Sequence, residues 1–207
     1  VLFRSEGVKF DAAQFNWIGN PIVDNQVTFS WAATGLNSIE DVIAKGGLIC
    51  GGTGASAPSV TYPQVLNNLL GTKIKIISGY PGAPAVHVAM ERGEVNCDGG
   101  NTWSSTKATT GHLLNDRKIS FLVQWGSVKD DAINAYAGRD LPLVRDYAKT
   151  DADRQVLDLL VSGSTIGRPL FAPPGVPKER VEALRRAFDA TLKDPDFLAE
   201  TKKAKIG

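Results

Sequence analysis

The feature that most constrains this chain is a strand–turn–helix unit that occurs twice in succession. Leu48–Cys50 is a short apolar run, and the glycine-rich stretch Cys50–Ser59 (CGGTGASAPS) leads from it into Pro58–Leu70. That segment reads as a helix, with Val65, Leu66, Leu69 and Leu70 apolar and Gly71 at the cap. Pro63 lies inside it, so the helix is either kinked or starts near Pro63. The unit then recurs. Lys73–Ser78 (KIKIIS) reads as a strand, Gly79–Ala83 as a turn, and Pro84–Arg92 as a helix with proline first, where a missing N–H is no loss. Gly93 ends that helix and Glu94–Cys97 reads as a third strand. Parallel neighbours need crossover connections rather than hairpins, so this order demands an α/β fold built on a parallel βαβαβ sheet.

The flanks are mixed. Phe15–Gly19 (FNWIG), Val27–Trp31 (VTFSW) and Ile119–Trp125 (ISFLVQW) are aromatic and β-branched, which suits strands. Ser38 is placed to cap a short helix that Gly46-Gly47 ends. Helices are expected at Thr102–Gly111, Leu141–Lys149 and Asp151–Ser162. Pro169–Pro177 reads as extended. Pro177 opens a strong helix with Val181, Leu184, Phe188 and Leu192 on one face, and Asp194-Pro195 breaks it before a last helix. The first five residues, VLFRS, look like the translated tail of a sequencing adapter and are set aside as a non-native scar. The C-terminal KKAKIG stops inside a helical pattern. On this reading the leader is missing, and its absence carries no information about compartment.

With 207 residues the chain suffices for one large domain or two small ones, and a net charge of +1 argues against a strongly basic nucleic-acid binder. No apolar run approaches the ~20 residues of a membrane span. The two cysteines, Cys50 and Cys97, fit no zinc pattern and no CxxC motif. They sit at the ends of strands that the topology places side by side. A disulfide is conceivable in an oxidising compartment, but its geometry is demanding, and two small buried thiols are the favoured expectation.

In open α/β sheets ligands sit beyond the carboxyl ends of the strands, where neighbouring strands send helices to opposite faces. Both glycine-rich turns lie there. The backbone N–H groups of Thr53–Ala57 and Tyr80–Ala83, with the hydroxyls of Thr53 and Ser56, suit a carboxylate or other small oxyanion at a helix start. The bland reading is that the glycines merely make tight turns. Other phosphate and nucleotide patterns fail. A Walker A loop needs Lys after its last glycine, and none follows Gly52 or Gly54. The dehydrogenase turn TGxxxGxG would need glycine where Pro58 and Val60 stand, and no Tyr is followed four residues on by Lys. His87, within an apolar helix, reads as packed rather than as a base, and His112 as a helix-end cation. Asp98-Gly99-Gly100-Asn101 is a candidate third loop for the same crevice, with Trp103 either its wall or core. Arg168 is either a carboxylate partner in a cleft or a solvated surface residue.

The order of these pieces resembles the solute-binding receptors of the tripartite tricarboxylate transporter family. The matching stretches are FNWIG, SIEDV at Ser38–Val42, GGTGAS at Gly51–Ser56, LLGTKIKIISGYPG at Leu69–Gly82, AMERGEV at Ala89–Val95 and FAPPGVPKERVEALRRAF at Phe171–Phe188. The resemblance implies a periplasmic-binding-protein-like, two-lobed fold that closes on an organic anion, with the ligand carboxylate held mainly by backbone N–H groups of Gly52–Ala57 and Tyr80–Gly82. It departs at Ser56-Ala57, where the family more often has Gly-Ser, and at Asn96, where an acid is common. It also implies that the chain holds the second lobe with a partial first lobe. The expected division is residues 6–26 as hinge and first-lobe entry, 27–125 as ligand-binding lobe, 126–163 as the helical segment completing it, and 164–207 as the return into the first lobe.

The expected ligand-binding residues are Gly52, Thr53, Gly54, Ala55, Ser56, Ala57, Tyr80, Pro81, Gly82, Ala83, Asp98 and Arg168. No catalytic residue, metal or cofactor is expected. The expected partners are a small mono-, di- or tricarboxylate and membrane permease subunits, not nucleic acid, with the chain a periplasmic monomer. The alternatives are an α/β enzyme acting on a small carboxylate or nucleotide, and an anion-sensing module without transport.

Overall fold

The computed structural model describes residues 9–203, so the expectations for VLFRS and for residues 204–207 lie outside the described residues. In chain order the elements are β1 (Asn16–Gly19), β2 (Gln26–Trp31), α1 (Ile39–Lys45), β3 (Ile49–Gly52), α2 (Pro58–Leu70), β4 (Lys75–Ser78), α3 (Ala83–Glu91), β5 (Cys97–Thr102), α4 (Trp103–Thr109), α5 (Gly111–Asn115), β6 (Ile119–Trp125), α6 (Asp131–Ala137), α7 (Asp151–Ile166), β7 (Leu170–Ala172), α8 (Lys178–Thr191) and α9 (Pro195–Lys203). They form two compact units, one of residues 24–165 and one that joins residues 9–23 to residues 166–203.

The larger unit is a five-stranded sheet of order β4-β3-β5-β2-β6. The βαβαβ core is as expected: β3 pairs in parallel with both β4 and β5. β2 runs antiparallel to both its neighbours, β5 and β6, so β6 points the same way as the parallel strands. α2 and α3 cover opposite faces. Tyr62 and Leu66 of α2 join Leu48, Cys50, Leu122 and Trp125 in one core, while Val86, Ala89 and Met90 of α3 join Phe29, Leu113 and Phe121 in the other. Two adjacent glycines make both contacts possible. A Cβ on Gly51 would lie 2.7 Å from Val86 of α3, and one on Gly52 would lie 2.4 Å from Val60 of α2.

Three expectations are corrected. The third strand is not Glu94–Cys97 but Cys97–Thr102, so Asp98–Asn101 belongs to a strand rather than a loop. Its glycines admit α2: a Cβ on Gly99 would lie 2.3 Å from Pro63 Cγ and 2.5 Å from the Ser59 carbonyl oxygen. That carbonyl is the one Pro63, which has no N–H, cannot pair, and α2 runs unbroken through the proline. Leu141–Lys149 is not a helix. Leu143 makes an isolated bridge to Gln124, followed by a single 3-10 turn at Val144–Tyr147. Cys50 and Cys97 are not free thiols but a disulfide. They are direct partners in the β3–β5 register, and their Cα atoms are 4.2 Å apart.

In the smaller unit β1 and β7 pair antiparallel, with Trp17 opposite Phe171. Phe188 of α8 packs onto Gly19, where a Cβ would lie 2.2 Å from its ring. The apolar face expected on α8 is only partly used: Val181 is buried, whereas Leu184 is 45% exposed.

Candidate functional site

A crevice of about 270 Å³ opens beyond the carboxyl ends of β3 and β4. Thr53, Ala57, Pro58 and Ser59 line it from the first turn and the start of α2, and Pro81, Gly82, Ala83 and Val86 from the second turn and α3. Asp98, Gly100 and Asn101 close it from β5. Of the residues expected at the site, Thr53, Ala57, Pro81, Gly82, Ala83 and Asp98 are therefore brought together. Gly52 is buried behind the turn, Tyr80 is half-buried, and Ala55 and Ser56 are exposed at the turn's tip; these, with Gly54, are not among the lining residues. Arg168 belongs to the other unit, where it is exposed and its backbone N–H donates to Asn20 Oδ1 at 3.1 Å.

The hydrogen bonds decide which amides are available. The N–H of Thr53 donates to the Ser59 hydroxyl at 3.1 Å, and that of Ala57 to the Gly54 carbonyl at 2.9 Å. The N–H groups of Gly79 and Tyr80 both donate to the Gly52 carbonyl, at 3.0 and 3.2 Å. Several of the amides expected to hold an anion are thus consumed in shaping the two turns. Among the residues that line the crevice, the amides left over are those at the helix starts. Ala57 precedes α2 and Gly82 precedes α3 as N-cap residues, and neither supplies a side-chain cap. Among the described residues the N–H groups of Ser59, Gly82 and Ala83 have no partner, and all three residues line the crevice. Two uncapped helix starts of 13 and 9 residues each contribute roughly half a positive charge there.

The floor is a strand with a bulge. Phe29 pairs with Asp98 and Val27 with Asn101, so Gly99 and Gly100 together stand opposite Thr28. A regular strand would turn residues three apart to opposite faces, and the extra residue restores them to the same one. This is how Asp98 and Asn101 come to share the crevice. Thr28 Oγ1 fixes the bulge by donating to the Gly99 carbonyl at 2.7 Å.

Asp98 is buried and already partnered. His87 Nε2 lies 2.9 Å from its Oδ2, and the Gly100 N–H donates to its Oδ1 at 3.1 Å. His87 is packed, as expected, with Nδ1 at 3.5 Å from the Thr109 hydroxyl. His112 lies in the last turn of the five-residue α5, and its Nε2 bonds the Glu91 carboxylate. Asn101, expected only as part of a third loop and not as a ligand-binding residue, is 9% exposed, and its Nδ2 has no partner among the described residues. A buried amide left this way costs on the order of 1–3 kcal/mol, which a ligand acceptor would recover. Trp103 is core: its ring meets Phe121 edge-on at 5.6 Å. Asn96 is a tie within the sheet, accepting from the Ile49 N–H at 2.7 Å and donating to the Gly47 carbonyl at 3.0 Å. Among the described residues no cluster of His, Cys, Asp and Glu has the make-up of a metal site, and no helix is long and apolar enough to cross a membrane.

No protein-family model matches the chain, and no curated protein matches it. Solved structures do. A TctC solute-binding protein from Polaromonas is similar at 16% identity and a TM-score of 0.69, over 97% of this chain and 63% of that one. Rpa4515 of R. palustris, solved with adipate, is similar at 16% identity and a TM-score of 0.60, over 98% of this chain and 62% of that one. MatC (Rpa3494) of Rhodopseudomonas palustris, solved with bound malate, is similar at 15% identity and a TM-score of 0.55, over 92% and 60%. The chain spans about three fifths of the length of these structures. At these identities the likeness establishes the fold, which is that of the periplasmic solute-binding proteins.

Proposed function

We propose that this chain is the ligand-binding part of a periplasmic receptor that captures a small organic carboxylate and delivers it to the permease subunits of a tripartite transporter, without catalysis. The observation that carries the reading is the set of unpaired donors around one crevice: the N–H groups of Ser59, Gly82 and Ala83 and the carboxamide of Asn101. A carboxylate accepts from all of them without a cation, because charge-assisted bonds to amides at two helix starts contribute about 1.5–3 kcal/mol each. Two of the structures that share the fold hold adipate and malate, which supports a carboxylate ligand. The Cys50–Cys97 disulfide supports an oxidising compartment such as the periplasm.

The test is an amide NMR titration of the whole 207-residue chain with malate, adipate and citrate. At least one of them is expected to shift the N–H resonances of Ser59, Gly82 and Ala83 and the side-chain amide of Asn101 in a saturable way. Unchanged positions of all four with every carboxylate into the millimolar range would refute the proposal.

A further inference from the structure

A second cavity, of about 340 Å³, lies at the start of β6, three strands across the sheet from β3. That volume falls in the range of small-molecule sites, roughly 300–1,000 Å³. Two guanidiniums line it, those of Arg117 and Arg139, together with Asn37, Ser120, Phe121 and Tyr136, and no acid does.

Both arginines are held in place by backbone carbonyls. Arg117 follows the end of α5 at φ +54°, with its N–H on the Leu114 carbonyl and the Lys118 N–H reaching back to the Leu113 carbonyl. This is the cap position where glycine is usual, and a side chain there costs on the order of 1–2 kcal/mol. The position brings the guanidinium over the Tyr136 ring, 4.6 Å from its centre, with Nη1 donating to the Tyr136 carbonyl. Arg139, after α6, donates through Nη2 to the carbonyls of Asn37 and Phe121.

Neither arginine is in an ion pair among the described residues, although Glu40 is close enough for the Arg139 charge to act on its carboxyl. Asp116 pairs with Lys118 at 3.5 Å. Burial pushes the Glu40 carboxyl up, but its own backbone N–H, the hydroxyls of Tyr147 and Ser38 and the charge of Arg139 outweigh this and hold it below its usual range. Each guanidinium offers five N–H donors in a fork that matches an oxyanion, and the carbonyls use only part of that capacity.

We infer that this cavity binds a small, multiply charged oxyanion, phosphate or a polycarboxylate, between Arg117 and Arg139. The site is separate from the crevice, and the inference does not rest on the receptor reading. The test is calorimetric titration of the whole chain at low ionic strength with inorganic phosphate in one arm and citrate in the other. Saturable binding of phosphate, or of citrate in a phase that the arginine double variant below loses, supports the site and identifies its preferred anion; binding of neither into the millimolar range overturns it. For the anion that binds, the Arg117→Gln/Arg139→Gln variant should be weaker by at least about tenfold, the equivalent of 1.4 kcal/mol. Undiminished binding overturns the assignment. Should that variant not fold, the wild-type chain decides: the bound anion should slow phenylglyoxal modification of Arg117 and Arg139 several-fold and leave exposed Arg180 unaffected. Equal rates with and without the anion overturn the inference.

Discussion

Replacing both cysteines perturbs the sheet by an amount that can be worked out from the chain. Cys50 and Cys97 are separated by 47 residues, and both are fully buried. A cross-link over a loop of that length lowers the entropy of the unfolded chain enough to contribute about 4 kcal/mol at 25 °C. Cys50→Ala/Cys97→Ala also deletes two buried sulfur atoms, at about 1 kcal/mol each. The expected total is about 5–6 kcal/mol, a large share of the 5–15 kcal/mol that a domain has. For a chain of this size each kcal/mol moves the midpoint by about 2–4 °C, so Tm should fall by about 10–20 °C. Thermal unfolding followed by circular dichroism without reductant measures this. A denaturant titration should show a larger m-value, because the unfolded variant is no longer cross-linked and exposes more surface. A double variant that melts within about 2 °C of the wild type would refute the reasoning. So would two reactive thiols found in the wild-type chain after unfolding in guanidinium without reductant.

Two other predictions concern the packing behind the crevice. Gly99→Ala should destabilise by about 1–3 kcal/mol, since its Cβ meets Pro63 and the Ser59 carbonyl, whereas Gly54→Ala, with nothing within 4 Å, should be near neutral in the same denaturant titration. Burial pushes the Tyr62 phenol up to about 12 from 10.0; its ring stacks on Trp125 and its oxygen accepts from Gln26 Nε2. Because the folded value is the higher one, this contribution is fully present below pH 10.0 and is lost between there and about 12. The shift corresponds to about 2–3 kcal/mol, and alkaline unfolding should coincide with phenolate absorbance. Phenolate absorbance that rises near pH 10 with the fold intact and is missing from the Tyr62→Phe variant would count against it.

The two βα units were legible because their cues are local. A short apolar run, a glycine turn and a helix with a capping glycine lie within about 25 residues of one another, and helix initiation and termination act over a single turn. The third strand was not. Gly99 and Gly100 read as a turn, since glycine in a strand normally weakens it, and only the approach of Pro63 and Ser59 of α2 explains them. The same long-range packing hid the bulge, and with it the way Asn101 shares one face with Asp98. At Leu141–Lys149 the apolar spacing is real, but Leu141 and Val144 are buried by separate contacts beside β6 rather than by one helical face. In the crevice the turns were found and their hydrogen bonds were not: that Gly52 accepts from Gly79 and Tyr80 depends on two strands lying side by side. The cysteines show the same limit. The topology already put their strands side by side, but only the β3–β5 register sets Cys50 directly opposite Cys97.

Asp98 sets the sharpest test of the ligand's charge. It lines the crevice and is buried, so the proposed anion would bind beside an existing carboxylate. A like charge roughly 7 Å away at an effective dielectric of about 20 opposes binding by about 2 kcal/mol. His87 Nε2 lies 2.9 Å from one of its oxygens, and the Gly100 amide donates to the other. Asp98→Asn keeps the side chain's size and an oxygen to accept from Gly100, and beside a neutral His87 it makes the local charge one unit more positive. For a ligand that carries only carboxylates, affinity should therefore rise by about tenfold or more, read by calorimetry with malate, adipate or citrate. A ligand that also bears an ammonium group would behave in the opposite sense, because Asp98 would be its counter-charge. Weaker binding of every simple carboxylate by the Asn variant, with the fold intact by circular dichroism, would refute the electrostatic argument and make Asp98 a direct polar contact.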